Sequence, residues 1–277
     1  MAIRVGDHLA ASLTGLRHEP IARRVRAWSG DRLLLDSTHA LLVWEPGRVV
    51  PQYAVPVDDV RTHLTPDPGF SGRRHGPGAV PVGPGGAEVL TPATGFGVHS
   101  CAGAVLTLST GGAEPLRGAA FRPEDPDLAG YVVVDFDAPD RWAEEDEDVV
   151  GHPRDPYHRV DARRSSRHVV VRDGDRVLAD SRRPTLVFET TLPVRYYLPR
   201  EDVVAELHAS DTVSTCAYKG RAAYLSSATR ADVAWTYPAP LPDAAQLTDL
   251  VAFFDERLDV EVDGVVAQRR TTPWSDA

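Results

Sequence analysis

Short apolar-rich runs separated by turn residues dominate the chain, which is the pattern of strands rather than helices. In HVVVRDGDRVLADS the pair Asp173-Gly174 stands between two such runs. It predicts a hairpin, because glycine accepts positive φ. TLVFE and VRYYLP read as one strand, interrupted or bent at Leu192-Pro193. STCAYKGRAAYLSS reads as strand, Lys219-Gly220 turn, strand, with DVAWTY and DLVAFFDE as further strands and a last hairpin around Asp263-Gly264. Only Pro199 followed by REDVVAELHAS departs from this pattern. Proline suits a first helical turn, and Glu201 and Asp202 complement its positive end, so one short helix is expected there. The predicted class is mainly β (α+β).

The same pattern occurs twice. GDRLLLDSTHALLVWE (30–45) matches GDRVLADSRRPTLVFE (174–189) at Gly30/Gly174, Asp36/Asp180, Ser37/Ser181, Leu42/Leu186 and Glu45/Glu189, among others. After a one-residue deletion the register resumes at Tyr53/Tyr196, Pro56/Pro199, Asp59/Asp202 and Val60/Val203. Phe121 matches Trp235, Phe136-Asp137 matches Phe254-Asp255, and the two cysteines fall at comparable places. Self-similarity of this kind marks a tandem duplication. The expected organisation is an N-terminal extension (1–21), a first and degenerate repeat (22–142), a charged linker (143–165), a well-preserved second repeat (166–264) and a tail (265–277). Residues 65–97 of the first repeat are dense in Gly and Pro; such composition predicts a long loop or mobile insert. The linker, AEEDEDVVGHPRDPYHRVDARRSS, reads as an extended solvated connector. The alternative is that some of its residues, Arg159 among them, fold back to line a site.

Composition narrows the function. Forty acidic against 30 basic residues give a net charge of −10, which argues against a duplex nucleic-acid binder. No apolar run is long enough to span a bilayer, and the first residues lack a secretory apolar core. A cytoplasmic bacterial protein, without nucleic-acid or membrane partners, is the expectation. Two cysteines, Cys101 and Cys216, are too few for a thiolate zinc site. His152 and His158 lack helical zinc-pair spacing, so no metal is expected. Nothing specifies a nicotinamide, flavin or nucleotide cofactor, and the expected cofactor set is none. The 30 basic residues include a single lysine, Lys219. Unlike arginine, a desolvated lysine can lose its proton and act as nucleophile or base.

DGDRVLADSRRPTLVFETTLPVRYYLPREDV, SDTVSTCAYKG, DVAWTYPAP and the linker EEDEDVVGHPRDPYHRVDARRSSR resemble the bacterial family called domain of unknown function 427, in its tandem form. The likeness covers nearly all of 22–264 apart from the insert and is stronger in the second copy. It implies two compact, twisted β-sheet domains of the β-tent type, paired as an internal pseudo-dimer. The family also carries a nucleotidyltransferase label, which this sequence does not support. It has neither a glycine-serine loop followed by paired metal-binding aspartates nor a P-loop. The first copy lacks the Tyr-Lys pair of the Cys-x-Tyr-Lys-Gly turn, so any chemistry belongs to the second.

Glu189 ends a strongly apolar strand, and a buried carboxylate needs a partner. Lys219 is the natural one, and charge plus desolvation would push the two pKa values in opposing ways. Trp235 and Tyr237 alternate onto one face of a strand, whereas Tyr196 and Tyr197 face opposite ways. The catalytic candidates are therefore Glu189 as general base, Lys219 as electrostatic acid or amine nucleophile, and Tyr218 and Tyr237 as proton donors or orienters. Trp235, Tyr196, Tyr197, Cys216 and Arg159 are candidates for substrate binding. Cys216 has no recognisable base and reads as a small core residue. The expected function is a cofactor-independent acid–base enzyme acting on a small molecule, of isomerase, lyase, cyclase or hydrolase type. The alternatives are a non-catalytic binding module for a metabolite or peptide end and a structural pseudo-dimer. In the structural reading, Glu189 and Lys219 form an ion pair that fixes the sheet.

Overall fold

The computed structural model describes residues 2–70, 80–82, 87–109, 114–269 and 272. The chain divides into two compact units, residues 1–80 with 87–155 and residues 81–86 with 156–277. The first carries an exposed helix, α1 (Val5–Ser12), and strands β1 (Arg17–Pro20), β2 (Val25–Ser29), β3 (Arg32–Ser37), β4 (Leu41–Trp44), β5 (Gln52–Pro56) and β6 (His63–Pro66). After the short β7 (Val80–Val82) and β8 (Ala87–Val89) come β9 (Gly103–Ser109), β10 (Leu116–Pro123), β11 (Tyr131–Val134), β12 (Arg141–Glu144) and β13 (Glu147–Asp148). Seven of these form an antiparallel sheet in the order β1-β4-β5-β11-β10-β9-β6, and four form a second sheet, β13-β12-β2-β3.

The second unit repeats this plan. Its strands are β14 (Val160–Arg164), β15 (Val169–Asp173), β16 (Arg176–Ser181), β17 (Thr185–Glu189), β18 (Arg195–Pro199), β19 (His208–Cys216), β20 (Gly220–Ser226), β21 (Ala234–Thr236), β22 (Leu250–Phe253), β23 (Asp259–Val262) and β24 (Val265–Val266). The sheets run β14-β17-β18-β22-β21-β20-β19 and β16-β15-β23-β24. Position by position this is the order of the first unit, so the mainly β class and the duplication both stand. Atomic details repeat with it. Ser37 Oγ donates to Asp59 at 2.6 Å and Ser181 Oγ to Asp202 at 2.7 Å. Leu35 bridges Val60 as Ala179 bridges Val203.

In each unit the principal core lies between the two sheets. Val25, Leu35, Leu42, Val55, Leu106 and Trp142 belong to the first, and Val169, Leu178, Leu198, Leu225, Val251 and Val260 to the second. The far face of each seven-stranded sheet carries a smaller cluster, around Val43, Phe96 and Phe121 in one unit and around Tyr197, Trp235 and Phe254 in the other. A sheet with both faces packed explains why TLVFE is nearly continuous in its apolar character.

Four local readings change. TLVFE and RYYLP are two strands of a hairpin, with Thr185 opposite Tyr197, not one bent strand. Thr191 takes φ 65°, and Leu192 N–H donates to the Glu189 carbonyl, which turns the chain back before Pro193. The helix expected after Pro199 is a single 3₁₀ turn, Arg200–Asp202, matched by Val57–Asp59 in the first unit. Just beyond it the chain is captured by the sheet, since Val204 and Ala205 N–H both donate to the Leu178 carbonyl. Each structural copy also begins earlier than the sequence match: β1 pairs with β4 and β14 with β17, so residues 17–20 and 160–164 are edge strands. The end of the linker is thus part of the second sheet. Finally, Phe136 packs against the principal core of its unit and Phe254 in the far-face cluster of the other, so these two are not equivalent. Within the expected insert, Phe96 is buried, while residues 71–79 and 83–86 lie outside the described residues.

Candidate functional site

Alternation along β17 sends Val187 and Glu189 to the far-face cluster and Phe188 outward, where it is 44% exposed. Glu189 closes the apolar strand at the sheet end, and the Cys216–Gly220 hairpin brings Lys219 to it. Gly220, at φ 94°, permits the reversal. The Lys219 ammonium hydrogen-bonds Glu189 Oε2, and His158 Nε2 contacts Oε1 at 3.1 Å. Lys219 is only 7% exposed. His158 comes from the segment just before β14, and its ring stacks on Tyr218 with centroids 4.4 Å apart.

Aromatic side chains surround this group. Trp235 Nε1–H donates to Tyr197 Oη at 3.0 Å, with the rings edge-on at 6.1 Å. Tyr237 lies 6.5 Å from Tyr197, Phe254 lies 4.5 Å from Trp235, and Cys216 borders the same cluster. The Arg195 guanidinium sits 5.6 Å from the Trp235 ring centroid, bound by Asp255 and Glu256.

The protonation states follow from these contacts. Burial would raise the Glu189 carboxyl, but the His158 hydrogen bond and the Lys219 charge bring it down to about 2. Burial would lower Lys219, and the Glu189 charge outweighs it, leaving the ammonium above its ordinary range. The two shifts oppose one another as expected, in the sense that locks the ion pair. A carboxylate near 2 is a poor general base at neutral pH, and a stabilised ammonium is not an amine nucleophile. The phenols remain protonated, Tyr197 being pushed up to about 12 by burial and Tyr237 also raised by burial.

The structure therefore brings together Glu189, Lys219, Tyr218, Tyr237, Trp235, Tyr197 and Cys216. Two predicted residues lie elsewhere. Tyr196 alternates to the opposite face and packs against the principal core. Arg159 shares the outer face with Phe188, its guanidinium 3.0 Å from Asp161. A shallow depression of about 260 Å³ there is bordered by Arg159, Asp161, Phe188, Glu189 and Thr190. Strand pleating turns the Glu189 carboxylate away from that side. His158 was missed as a site residue, because in HPRDPYH it has no metal-pair spacing and no other local signal that points to a partner. Its pairing with Glu189 depends on the unexpected edge strand β14. Among the described residues, no group of three or more His, Cys, Asp or Glu is arranged to hold a metal ion.

The first unit keeps the carboxylate with different partners. Glu45 is fully buried, contacted by His99 Nδ1 at 3.0 Å, Ser100 N–H at 2.7 Å and the Cys101 thiol at 3.7 Å. A backbone amide thus takes part of the lysine's place. The Cys101 thiol is pushed up to about 12 by burial and by Glu45, which leaves it unreactive.

Residues 161–264 match the model of the family described as NTP_transf_9, a domain of unknown function (DUF427). No curated protein matches the chain. No helix among the described residues is long and apolar enough to cross a membrane.

Proposed function

Residues 161–264 match the DUF427 family model, and from that premise we propose that the second copy acts on a small molecule by acid–base exchange at His158, oriented by Glu189, which Lys219 in turn holds in place. What supports this reading is the buried ion pair itself. Desolvating two charges costs several kcal/mol per ion, and a well-packed apolar pair in their place is often as stable or more so. A sheet face already rich in aromatic residues has no packing need for the charges, and such local exceptions to the folding rules concentrate at functional sites. Within the trio, the His158 side chain is 18% exposed and that of Glu189 7%. A carboxylate hydrogen-bonded to one ring nitrogen fixes an imidazole's tautomer and orientation and leaves the other nitrogen for chemistry. Tyr218 stacked on the ring holds its plane. The protonated tyrosines supply donors, and Trp235 an apolar wall.

A second reading is favoured by the fixed protonation of Glu189 and Lys219. It makes this corner a non-catalytic binding module that recognises its ligand through permanent charges.

One experiment separates the two. The full chain is incubated in deuterated water with a panel of small carbonyl compounds, and α-deuteration is followed by proton NMR alongside thermal shifts. Acid–base exchange predicts α-deuteration of at least one compound, lost in His158→Gln while the fold persists. Thermal stabilisation without exchange selects the binding module. Exchange that survives in His158→Gln removes His158 from the chemistry.

A further inference from the structure

The outer strands of the two seven-stranded sheets are β1 and β6 in the first unit and β14 and β19 in the second. An open edge presents unpaired N–H and C=O groups, and proteins blunt such edges with proline, bulges or charge. β1 ends in Pro20 and β6 in Pro66. β19 is broken by a register shift between Ala209 and Val213. β14 has neither device: Val160–Arg164 contains no proline and pairs with β17 in one unbroken register. Its protection rests on charge alone, on Asp161, Arg163 and Arg164.

The ladder fixes which way the backbone of β14 points. At its two ends, Thr190 N–H donates to the Arg159 carbonyl at 3.0 Å and Ser165 N–H to the Pro184 carbonyl at 2.9 Å. Bonded pairs alternate along an antiparallel ladder, so Arg159, Asp161, Arg163 and Ser165 bond inward to β17 and its flanks. Val160, Ala162 and Arg164 turn their N–H and C=O groups outward, where they have no backbone partner among the described residues. Side chains alternate as well, which puts Asp161 and Arg163 on the face that carries Phe188. There Asp161 is held by Arg159 at 3.0 Å and Arg163 at 2.9 Å, and both arginines are largely exposed.

We propose that a second copy of this chain adds to β14, antiparallel and about a two-fold axis at Ala162. It is the one register that engages all five residues of the strand. Outward residues then meet outward residues: Ala162 faces its equivalent, Val160 faces Arg164 of the second copy, and each facing pair exchanges two hydrogen bonds. Asp161 falls opposite Arg163 of the second copy, and Arg163 opposite its Asp161. These are non-hydrogen-bonded pairs, in which side chains approach most closely. Arg159 meets Ser165, so no like charges stand face to face. An axis at Asp161 or at Arg163 sets each of these against itself, which is destabilising. An axis between residues turns outward groups against inward ones and forms no ladder. The charges that repel other strands thus select the strand's own reverse, and a two-fold contact of this kind closes at two copies. This inference is independent of the proposed function of the second unit.

Sedimentation equilibrium of the full-length protein, from micromolar to millimolar concentration, provides the test. Wild type is expected to approach twice the chain mass of 30.1 kDa. Asp161→Arg sets arginine against Arg163, and Arg163→Asp sets aspartate against Asp161. Each is expected to weaken association at least tenfold, with thermal melts confirming that the fold persists. Mixing these two variants makes both facing pairs opposite in charge again and is expected to recover a dimer containing one chain of each. The variant carrying both changes is expected to dimerise with itself. The proposal is overturned if wild type stays monomeric throughout, if either folded single variant associates like wild type, or if the mixture or the folded double variant stays monomeric.

Discussion

The ammonium of Lys219 and the carboxylate of Glu189 meet inside an aromatic cluster, brought there by two hairpins of one sheet. Removing one partner strands the other charge, which costs about 3–5 kcal/mol for a buried pair. Lys219→Met is therefore expected to lose about that much in urea unfolding. Adding Glu189→Leu to Lys219→Met is expected to restore most of it. A double variant no more stable than the single one would show that the pair is not the main term. Lys219→Arg is expected to cost about 1–3 kcal/mol, because the larger guanidinium must enter a packed space.

Acid should expose the same linkage. The folded-state carboxyl of Glu189 lies near 2, against an ordinary 4.5. Its contribution is thus complete above the ordinary value and is lost as pH falls toward 2. By linkage it is on the order of 3 kcal/mol. Lys219 is shifted upward, so its share is present below the ordinary lysine range and fades only in strong alkali. The stability difference between wild type and Glu189→Gln, measured by urea titration, is expected to be level near neutrality and to shrink steadily below pH 4.5. A difference that does not change with acid would contradict the ion-paired state.

Asp255 and Glu256 share one guanidinium, that of Arg195, and their roles are expected to be opposite. Burial and the neighbouring Glu256 charge push Asp255 up to about 6, while Arg195 holds Glu256 down. Ionised Asp255 therefore subtracts stability, a penalty absent below the ordinary 3.8, growing as pH rises to about 6 and fully present above it. Asp255→Asn is expected to stabilise the protein by about 1 kcal/mol at pH 8. Glu256→Gln, which gives up charge-assisted bonds to Arg195, is expected to destabilise it by about 2 kcal/mol. Thermal melts of the two variants at pH 8 check the signs.

Gly103 begins β9 where a methyl group would lie 2.3 Å from Phe121 Cζ and 2.4 Å from the Arg122 carbonyl oxygen. The ring can shift, but the backbone oxygen of a paired strand is held by its ladder. Gly103→Ala is expected to cost about 1–3 kcal/mol, in the range of overpacking in a close-packed interior. A denaturation midpoint equal to wild type would refute this.

Much of this architecture is legible in the residues. The hairpin at Asp173-Gly174, the turn at Lys219-Gly220 and the final turn at Asp263-Gly264 depend on local chemistry, and all three form. Ser37 and Ser181 matched in sequence because each fastens a strand end to an aspartate about 20 residues on. The Glu189–Lys219 contact was legible for another reason: a carboxylate at the end of an apolar strand needs a cation, and the chain has one lysine. What escaped depends on pairing at a distance. Residues 160–164 look like charged linker until β17 supplies a partner, and only that pairing carries His158 to Glu189. Arg159 and Tyr196 were drawn into the site on residue type, and pleating sends both to the other face.

The placement of β14 at the rim of the large sheet bears on how the second unit can be excised. A fragment begun at Ser166, where the repeated motif becomes obvious, would leave the outward N–H and C=O groups of Thr185–Glu189 without their ladder partners and would discard His158. An unpaired flat rim recruits strands from neighbouring molecules. Such a fragment is set to self-associate, whereas one begun at Pro156 keeps the rim covered and the imidazole in place.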